Sequence, residues 1–131
     1  MSRSPAQMVR EKIERYMINL SLTYEDLGEN MWLIEDPDKG LGHVFVYADD
    51  PLVTLRAKVM ELPEQKREQF FEELLRLNNE MIHGAYALEE SNIVLVDTLE
   101  SDTMDLEEFR ASLEAIGLAL AQHYPRLSQY L

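Results

Sequence analysis

The 131-residue chain contains no cysteine, which excludes both a disulfide framework and a thiolate metal site. No apolar run approaches the roughly 20 residues that cross a bilayer, so we expect no membrane insertion. The N-terminal segment lacks the pattern of a signal peptide, and a cytoplasmic protein is the expectation. Glycine-rich phosphate loops, a Gly-x-Ser-x-Gly elbow and a Ser/His/Asp order are also missing. We therefore predict a protein that is not an enzyme and holds no cofactor.

Basic side chains are scarce, because 12 Lys and Arg stand against 25 Asp and Glu, giving a formal net charge of −13. Binding to phosphates needs basic groups that release counterions, so nucleic acid is not an expected partner. Residues 1–20 are the exception and are net basic. An acidic surface keeps a protein solvated and its copies apart, and it can also steer a basic partner. Both interpretations of the charge stay open.

Apolar residues make up 46% of the chain, enough for the core of a single domain spanning 1–131. Ser4-Pro5-Ala6-Gln7 has the pattern of a helix N-terminus with a capping box. Apolar spacing and turn signals predict a helix over 5–20, strands at 31–34, 44–47 and 53–59, a helix from Pro63 to about Met81, a hairpin pairing 86–88 with 93–96, and a helix after Asp105 that ends before Pro125. The order α-β-β-β-α-β-β-α predicts an α+β fold, with helices covering an antiparallel sheet.

The predicted middle helix has too wide an apolar surface for one packing partner. Its apolar residues, from Phe70 to Ile82, spread over an arc of about 160°, against about 80° for the last helix. One sheet face would leave part of that arc uncovered, and a two-fold dimer is the simplest second partner. The candidate dimer-interface residues on this double stripe are Phe70, Phe71, Leu74 and Leu75.

The first helix carries an apolar stripe that permits two interpretations. The stripe either packs on the domain's own sheet, which we favour for Val9, Ile13 and Leu20, or binds a partner. Trp32 is either a core anchor or a hot spot in a groove. Together with Met8 and Ile18, which lie outside the stripe, it is a candidate exposed anchor for an extended peptide. The candidate partner-binding residues are Met8, Val9, Ile13, Tyr16, Met17, Ile18, Leu20 and Trp32.

Metal-binding patterns are weak. His43, His83 and His123 are far apart in sequence, and isolated histidines at the surface or at helix ends are the commoner interpretation. The Asp36-Pro37-Asp38-Lys39-Gly40 run lacks the further acidic ligands of a calcium loop and reads as a turn. We predict no stoichiometric metal.

Three short stretches carry a resemblance to a known family. They are Leu74-Leu75-x-Leu77-Asn78, Gly84-x-Tyr86-x-Leu88 and Asn92-Ile93-Val94-Leu95, followed by an acidic start to the last helix. They resemble class I type III secretion chaperones, the Tir chaperone family. The resemblance implies an acidic homodimer that holds an extended segment of a secreted effector on apolar patches. It also implies that the middle helix and the next strand meet across the dimer, which adds Asn78 and Tyr86 to the candidate interface.

The run Leu55-Arg56-Ala57-Lys58-Val59-Met60-Glu61-Leu62-Pro63 resembles a related branch, the YbjN-like family of bacterial sensory regulators. That branch is similar in fold but is not tied to a secretion apparatus. Two noncatalytic functions therefore stay open, a chaperone for a secreted effector and a regulatory protein with another client. An enzyme with an unrecognised site is a distant third.

Overall fold

The computed structural model describes residues 3–131. In that range the chain forms two short 3₁₀ turns, Pro37–Lys39 and the C-terminal turn Ser128–Tyr130, together with three α-helices and six strands. These are α1 Pro5–Asn19, β1 Tyr24–Gly28, β2 Met31–Asp36, β3 Leu41–Asp49, β4 Leu52–Glu61, α2 Arg67–Glu80, β5 Ala85–Glu89, β6 Asn92–Glu100 and α3 Leu106–Leu127. The strands form one antiparallel sheet in the order β1-β2-β3-β4-β6-β5. The predicted α+β fold class is confirmed.

The predicted capping box is present at the start of α1, and a side-chain cap from Asp105 is present at the start of α3. The Ser4 hydroxyl accepts from the Gln7 N–H at 3.2 Å, and the Gln7 side chain accepts from the Ser4 N–H at 3.1 Å. The Asp105 carboxylate accepts from the Glu108 N–H at 2.8 Å at the start of α3. The predicted end of α3 before Pro125 is wrong. Pro125 lacks a backbone N–H, but it lies in the last turn, so the helix loses only one hydrogen-bond donor there. The helix continues to Leu127, which is fully buried.

Two other boundaries differ from the prediction. The sequence pattern does not predict β1, and four strands rather than three precede α2. This strand is mostly exposed and polar, and it has no apolar alternation to reveal it. The middle helix begins at Arg67 rather than at Pro63. Pro63 is buried, and the Leu62 N–H donates to the Ser91 carbonyl at 2.8 Å, which ties this segment to the β5–β6 turn.

The core lies between one face of the sheet and the three helices. Helix α3 crosses β3, β4 and β6, α1 packs near β3, and α2 packs beside β5. Alternate residues of β3 and β4 point into this core, as the sequence pattern predicts. A bulge between Lys58 and Met60 breaks the alternation, so that Met60 is buried in place of Val59. Within residues 3–131, none of the helices combines the length and apolar character needed to cross a membrane.

Candidate protein-binding surfaces

The apolar stripe of α1 faces the core of its own domain. Ile13 and Met17 are fully buried and Val9 nearly so. The Tyr16 hydroxyl donates to the Met104 carbonyl at 3.0 Å, which fixes the helix to the loop before α3. Leu20 is half-buried against the same core. These five candidate partner-binding residues therefore hold α1 in place and present little surface to a partner.

Trp32 is fully buried, so its interpretation as a core anchor is correct and its placement as an exposed anchor is wrong. The pleat of β2 turns the ring towards the helices, where the Arg10 guanidinium lies 4.8 Å from the ring centroid. Arg10 also donates to Asp26 at 2.6 Å and to Asn30 at 3.3 Å, and so joins α1 to β1 and to the turn after it. The hydrogen bond from the Gly28 N–H, assisted by Arg10, lowers the pKa of the Asp26 carboxyl. The Trp32 ring therefore packs against the Arg10 side chain at the point where α1 contacts β1.

Met8 and Ile18 are the parts of α1 that face solvent. Their side chains are 58% and 66% exposed. Met8 lines a hollow of about 330 Å³ beside Lys12, whose ammonium donates to the Ser101 carbonyl at 3.0 Å. Ile18 lies at the other end of the helix. Of the candidate partner-binding residues, these two remain available to an incoming chain.

The edge of β1 lies beside α1 and is open along one side. Tyr24 pairs with Ile34, and the Glu35 N–H donates to the Thr23 carbonyl at 3.0 Å. Since inward and outward backbone groups alternate in an antiparallel pair, the N–H and C=O of Tyr24 point away from β2. An edge of this kind is a template for another strand. The neighbouring Leu27 side chain is 43% exposed and adds an apolar contact there.

The opposite edge, β5, is occupied at one position by a side chain. The Asn78 carboxamide of α2 accepts from the Tyr86 N–H at 2.6 Å and donates to the Tyr86 carbonyl at 3.3 Å. The Tyr86 ring is buried, and its hydroxyl lies 2.8 Å from His123 Nδ1. Asn78 and Tyr86, both candidate dimer residues, therefore bond to each other and join α2 and β5 within one chain.

The double stripe of α2 divides into a buried half and an exposed half. Phe70 and Leu74 lie in the core, Phe71 is half-buried, and Leu75 is 69% exposed. Phe70 and Leu74 are thus core residues, and the uncovered part of the predicted wide arc is the side that carries Leu75.

A separate groove of about 300 Å³ lies between the α2–β5 loop and α3, where Glu80 is the lining residue that α2 contributes. Ile82 is 92% exposed in that loop, and Leu118 of α3 is 58% exposed on the other wall. The sequence interpretation missed Leu118. Its position on α3, more than 100° away from the narrow apolar arc, was the available signal.

The sheet face opposite the helices forms a shallow concavity of about 790 Å³. Phe45 and Tyr47 stand on it because they alternate with the buried Val44 and Val46. Arg56 forms an ion pair with Glu89 at 3.3 Å on the same surface. The sequence interpretation took these aromatic residues as strand formers only, although period-two alternation places them on the wet face.

The histidines lie in separate environments. His43 is 3.8 Å from Glu35, and His83 is exposed after α2. Across residues 3–131, no three His, Cys, Asp or Glu side chains come close enough together to bind a metal. His123 is buried, and burial lowers its pKa, with Glu80 opposing the shift and Arg126 adding to it.

The Tyr86–His123 pair predicts a pH-dependent stability. Burial raises the pKa of Tyr86 to about 12, so its hydroxyl stays protonated and shares a hydrogen bond with His123 Nδ1. The pKa of His123 is below its ordinary value of 6.5 in the fold, so the unfolded chain binds the proton first. The free energy of unfolding should fall as the pH drops through 6.5 towards the folded-state pKa of His123. Above pH 6.5, His123 should not reduce the free energy of unfolding.

Urea unfolding at about pH 7.5 and about pH 5.5 checks this pH effect. His123→Gln should reduce the loss of stability between the two pH values, whereas His43→Gln, at an exposed site, should leave it unchanged. Equal losses in the wild type and in His123→Gln would contradict the assignment.

Solved structures share this arrangement of sheet and helices. A chain of the HopA1–SchA chaperone–effector complex matches with a TM-score of 0.71 and 8% identity, over 95% of this protein and 99% of that chain. A chain in the structure of the Yersinia pestis type III secretion chaperone SycH with a fragment of YscM2 matches with a TM-score of 0.63 and 14% identity, over 91% and 98%. YbjN from E. coli matches with a TM-score of 0.65 and 13% identity, over 89% and 92%. At these identities the likeness concerns the fold.

Family membership rests on the sequence. The CesT_Tir_1 family profile matches residues 6–131, and the chain belongs to that family. A comparison with curated protein sequences gives no match. The resemblance to secretion chaperones and to YbjN-like proteins is therefore confirmed.

Proposed function

We propose that this protein is a noncatalytic, homodimeric chaperone that works in the cytoplasm and holds an extended segment of a secreted effector. The observation that carries the proposal is the open edge of β1, on which Leu27 is exposed, together with the exposed Met8 and Ile18 of the adjacent helix α1. An extended segment gains main-chain hydrogen bonds at such an edge and specificity from side-chain contacts next to it. No chemical step is needed for this activity.

The edge of β1 suits a peptide for a structural reason. Arg10 and Trp32 fix α1 against β1 and β2, so the helix and the strand edge form one preorganised surface. Preorganisation lowers the entropy lost when a flexible segment binds. The exposed apolar side chains of α1 lie outside the core, so they can be used for binding without a loss of folding stability.

The dimer is proposed on the other side of the molecule. On this side, Leu75 and the half-buried Phe71 of α2, Ile82 in the loop after α2 and Leu118 of α3 all leave apolar area uncovered. Burying exposed apolar area against an identical copy gives a closed two-fold assembly. In this arrangement the dimer leaves the β1 edges free, one on each protomer.

The known structures support a protein partner. Two of them are described as complexes, a chaperone with an effector and a chaperone with a fragment of YscM2. The similarity to YbjN favours a second candidate, a regulatory protein that binds a client without a secretion system. The β1 surface serves either function, and the identity of the client distinguishes them.

Co-expression with the product of each neighbouring gene tests the function. A client should copurify, and hydrogen exchange should slow in β1 and α1 on binding. Met8→Ser with Ile18→Ser should leave the thermal midpoint almost unchanged and weaken capture about tenfold or more, because a few apolar contacts dominate peptide affinity.

Leu88→Ser with Leu131→Ser is the matched control, since both side chains are at least half exposed and Leu88 lies on the opposite sheet edge. The control should capture the client normally. A Met8/Ile18 variant that unfolds would show these positions to be core, and undiminished capture would move the binding surface elsewhere. Slowed exchange confined to another strand would also overturn the proposal.

A further inference from the structure

Asn78 takes the place of a neighbouring strand at the outer edge of β5. An amide side chain offers one acceptor and one donor, which are the groups that an adjacent peptide unit would present. Asn78 gives both to one residue, with Oδ1 at 2.6 Å from the Tyr86 nitrogen and Nδ2 at 3.3 Å from the Tyr86 oxygen. Both backbone groups of Tyr86 therefore point away from β6 and are already satisfied.

The two edges of the sheet are thus unequal. At β1, the outward N–H and C=O of Tyr24 make no hydrogen bond within residues 3–131. At β5, alternation leaves the backbone N–H and C=O groups of Tyr86 and Leu88 pointing away from β6. Asn78 bonds to those of Tyr86 and so closes the first of these two positions. A strand that tried to extend β5 would have to displace the Asn78 carboxamide.

We propose that Asn78 guards the β5 edge at Tyr86 and so directs an incoming strand to β1 rather than to β5. The partner that the guard excludes is any extended segment at β5, including β1 of a second copy of this chain. Sheets with two open edges grow by edge-to-edge pairing, and a covered edge prevents this. The directional part of this inference rests on the proposed function, whereas closure of the β5 edge does not.

A second contact keeps the guarded residue in place. The Tyr86 side chain is buried, and its hydroxyl meets His123 Nδ1 at 2.8 Å, so α3 fixes the ring while α2 fixes the backbone. The backbone and the side chain of Tyr86 are therefore each held by a different helix. The guard acts on a rigid strand edge rather than on a fraying one.

Asn79 provides a matched control, because it is the next residue of α2, of the same type, and exposed. In the wild-type protein, the side-chain amide protons of Asn78 should exchange with water at least about tenfold more slowly than those of Asn79. Equal rates would overturn the guard without any substitution being made. This measurement needs no client, so it fails or succeeds independently of the proposed function.

Asn78→Ala should speed exchange of the Tyr86 backbone amide at least about tenfold, whereas Asn79→Ala should not change it. Asn78→Ala should also self-associate in a concentration-dependent way, which light scattering measures. A peptide with the sequence of residues 22–29, which include β1, should slow hydrogen exchange in β5 of this variant. Asn78→Asp keeps the acceptor and loses the donor, so its Tyr86 amide should exchange more slowly than in Asn78→Ala. Faster exchange in Asn78→Ala without any gain of strand pairing would overturn the guard.

Discussion

Replacing Leu75 with glutamate should convert a dimer into a folded monomer. The wild type should sediment as a dimer at micromolar concentration. Leu75 is 69% exposed in the single chain, so a glutamate at this position should cost the monomer little folding free energy. Glutamate is also nearly as good a helix former as leucine. In the proposed interface it would place an unpaired charge in an apolar contact, twice by symmetry. We expect a loss of about 3–5 kcal/mol of association free energy.

Analytical ultracentrifugation over a concentration series, with circular dichroism as the folding check, measures this effect. Ile18→Glu is the matched control, because Ile18 is 66% exposed on α1, away from α2. It should leave the dimer intact. A wild type that sediments as a monomer would disprove the dimer, and a Leu75→Glu protein that remains dimeric would place the interface elsewhere.

Replacing Phe70 with alanine should destabilise the fold by about 3–5 kcal/mol, the range for truncating a buried aromatic residue. The ring is fully buried and packs edge-on against Tyr130 with centroids 5.2 Å apart. The loss would leave a cavity between α2 and the C-terminal turn. Tyr130 also donates to Glu73 of α2 at 2.8 Å, so the contact between α2 and the C-terminal turn would be weakened.

Urea unfolding at one fixed protein concentration measures this loss, because dimerisation adds to the apparent stability. Phe71→Ala is the internal comparison, since Phe71 is only half-buried in the single chain. Its effect on the monomer should be nearer 1 kcal/mol. Equal effects at the two positions in a monomeric Leu75→Glu background would contradict the division of this helix into core and exposed sides.

The sequence was sufficient for the elements whose pattern comes from burial. The stripe of α1, the alternation in β3 and β4, and the capping residues Ser4 and Asp105 all predicted real structure. Strand β1 carries no such signal, because an exposed edge strand is stabilised by backbone pairing with β2 rather than by its own side chains. The bulge near Lys58 is likewise set by pairing with β6.

The candidate surfaces were harder to predict than the fold. Apolar spacing identified α1 and α2 as important but could not say which stripe their own sheet would cover. Trp32 shows why, since it is buried in a core built from several elements, and Arg10 of another element lies over its ring. Only the resemblance to secretion chaperones indicated Asn78, and it did so as a candidate dimer residue. Its hydrogen bonds to Tyr86 depend on the exact placement of α2 beside β5.

The seam between β4 and β6 has a consequence for how the chain folds. Along that seam Leu52 pairs with Glu100 and Glu61 with Asn92, whereas every other strand pair joins neighbours in sequence. The β1–β4 meander and the β5–β6 hairpin can therefore each form through short loops. Joining them requires closure of the long segment that contains α2, and non-local closure of this kind slows folding. We expect the meander and the hairpin to form early and the β4–β6 seam to set the folding rate.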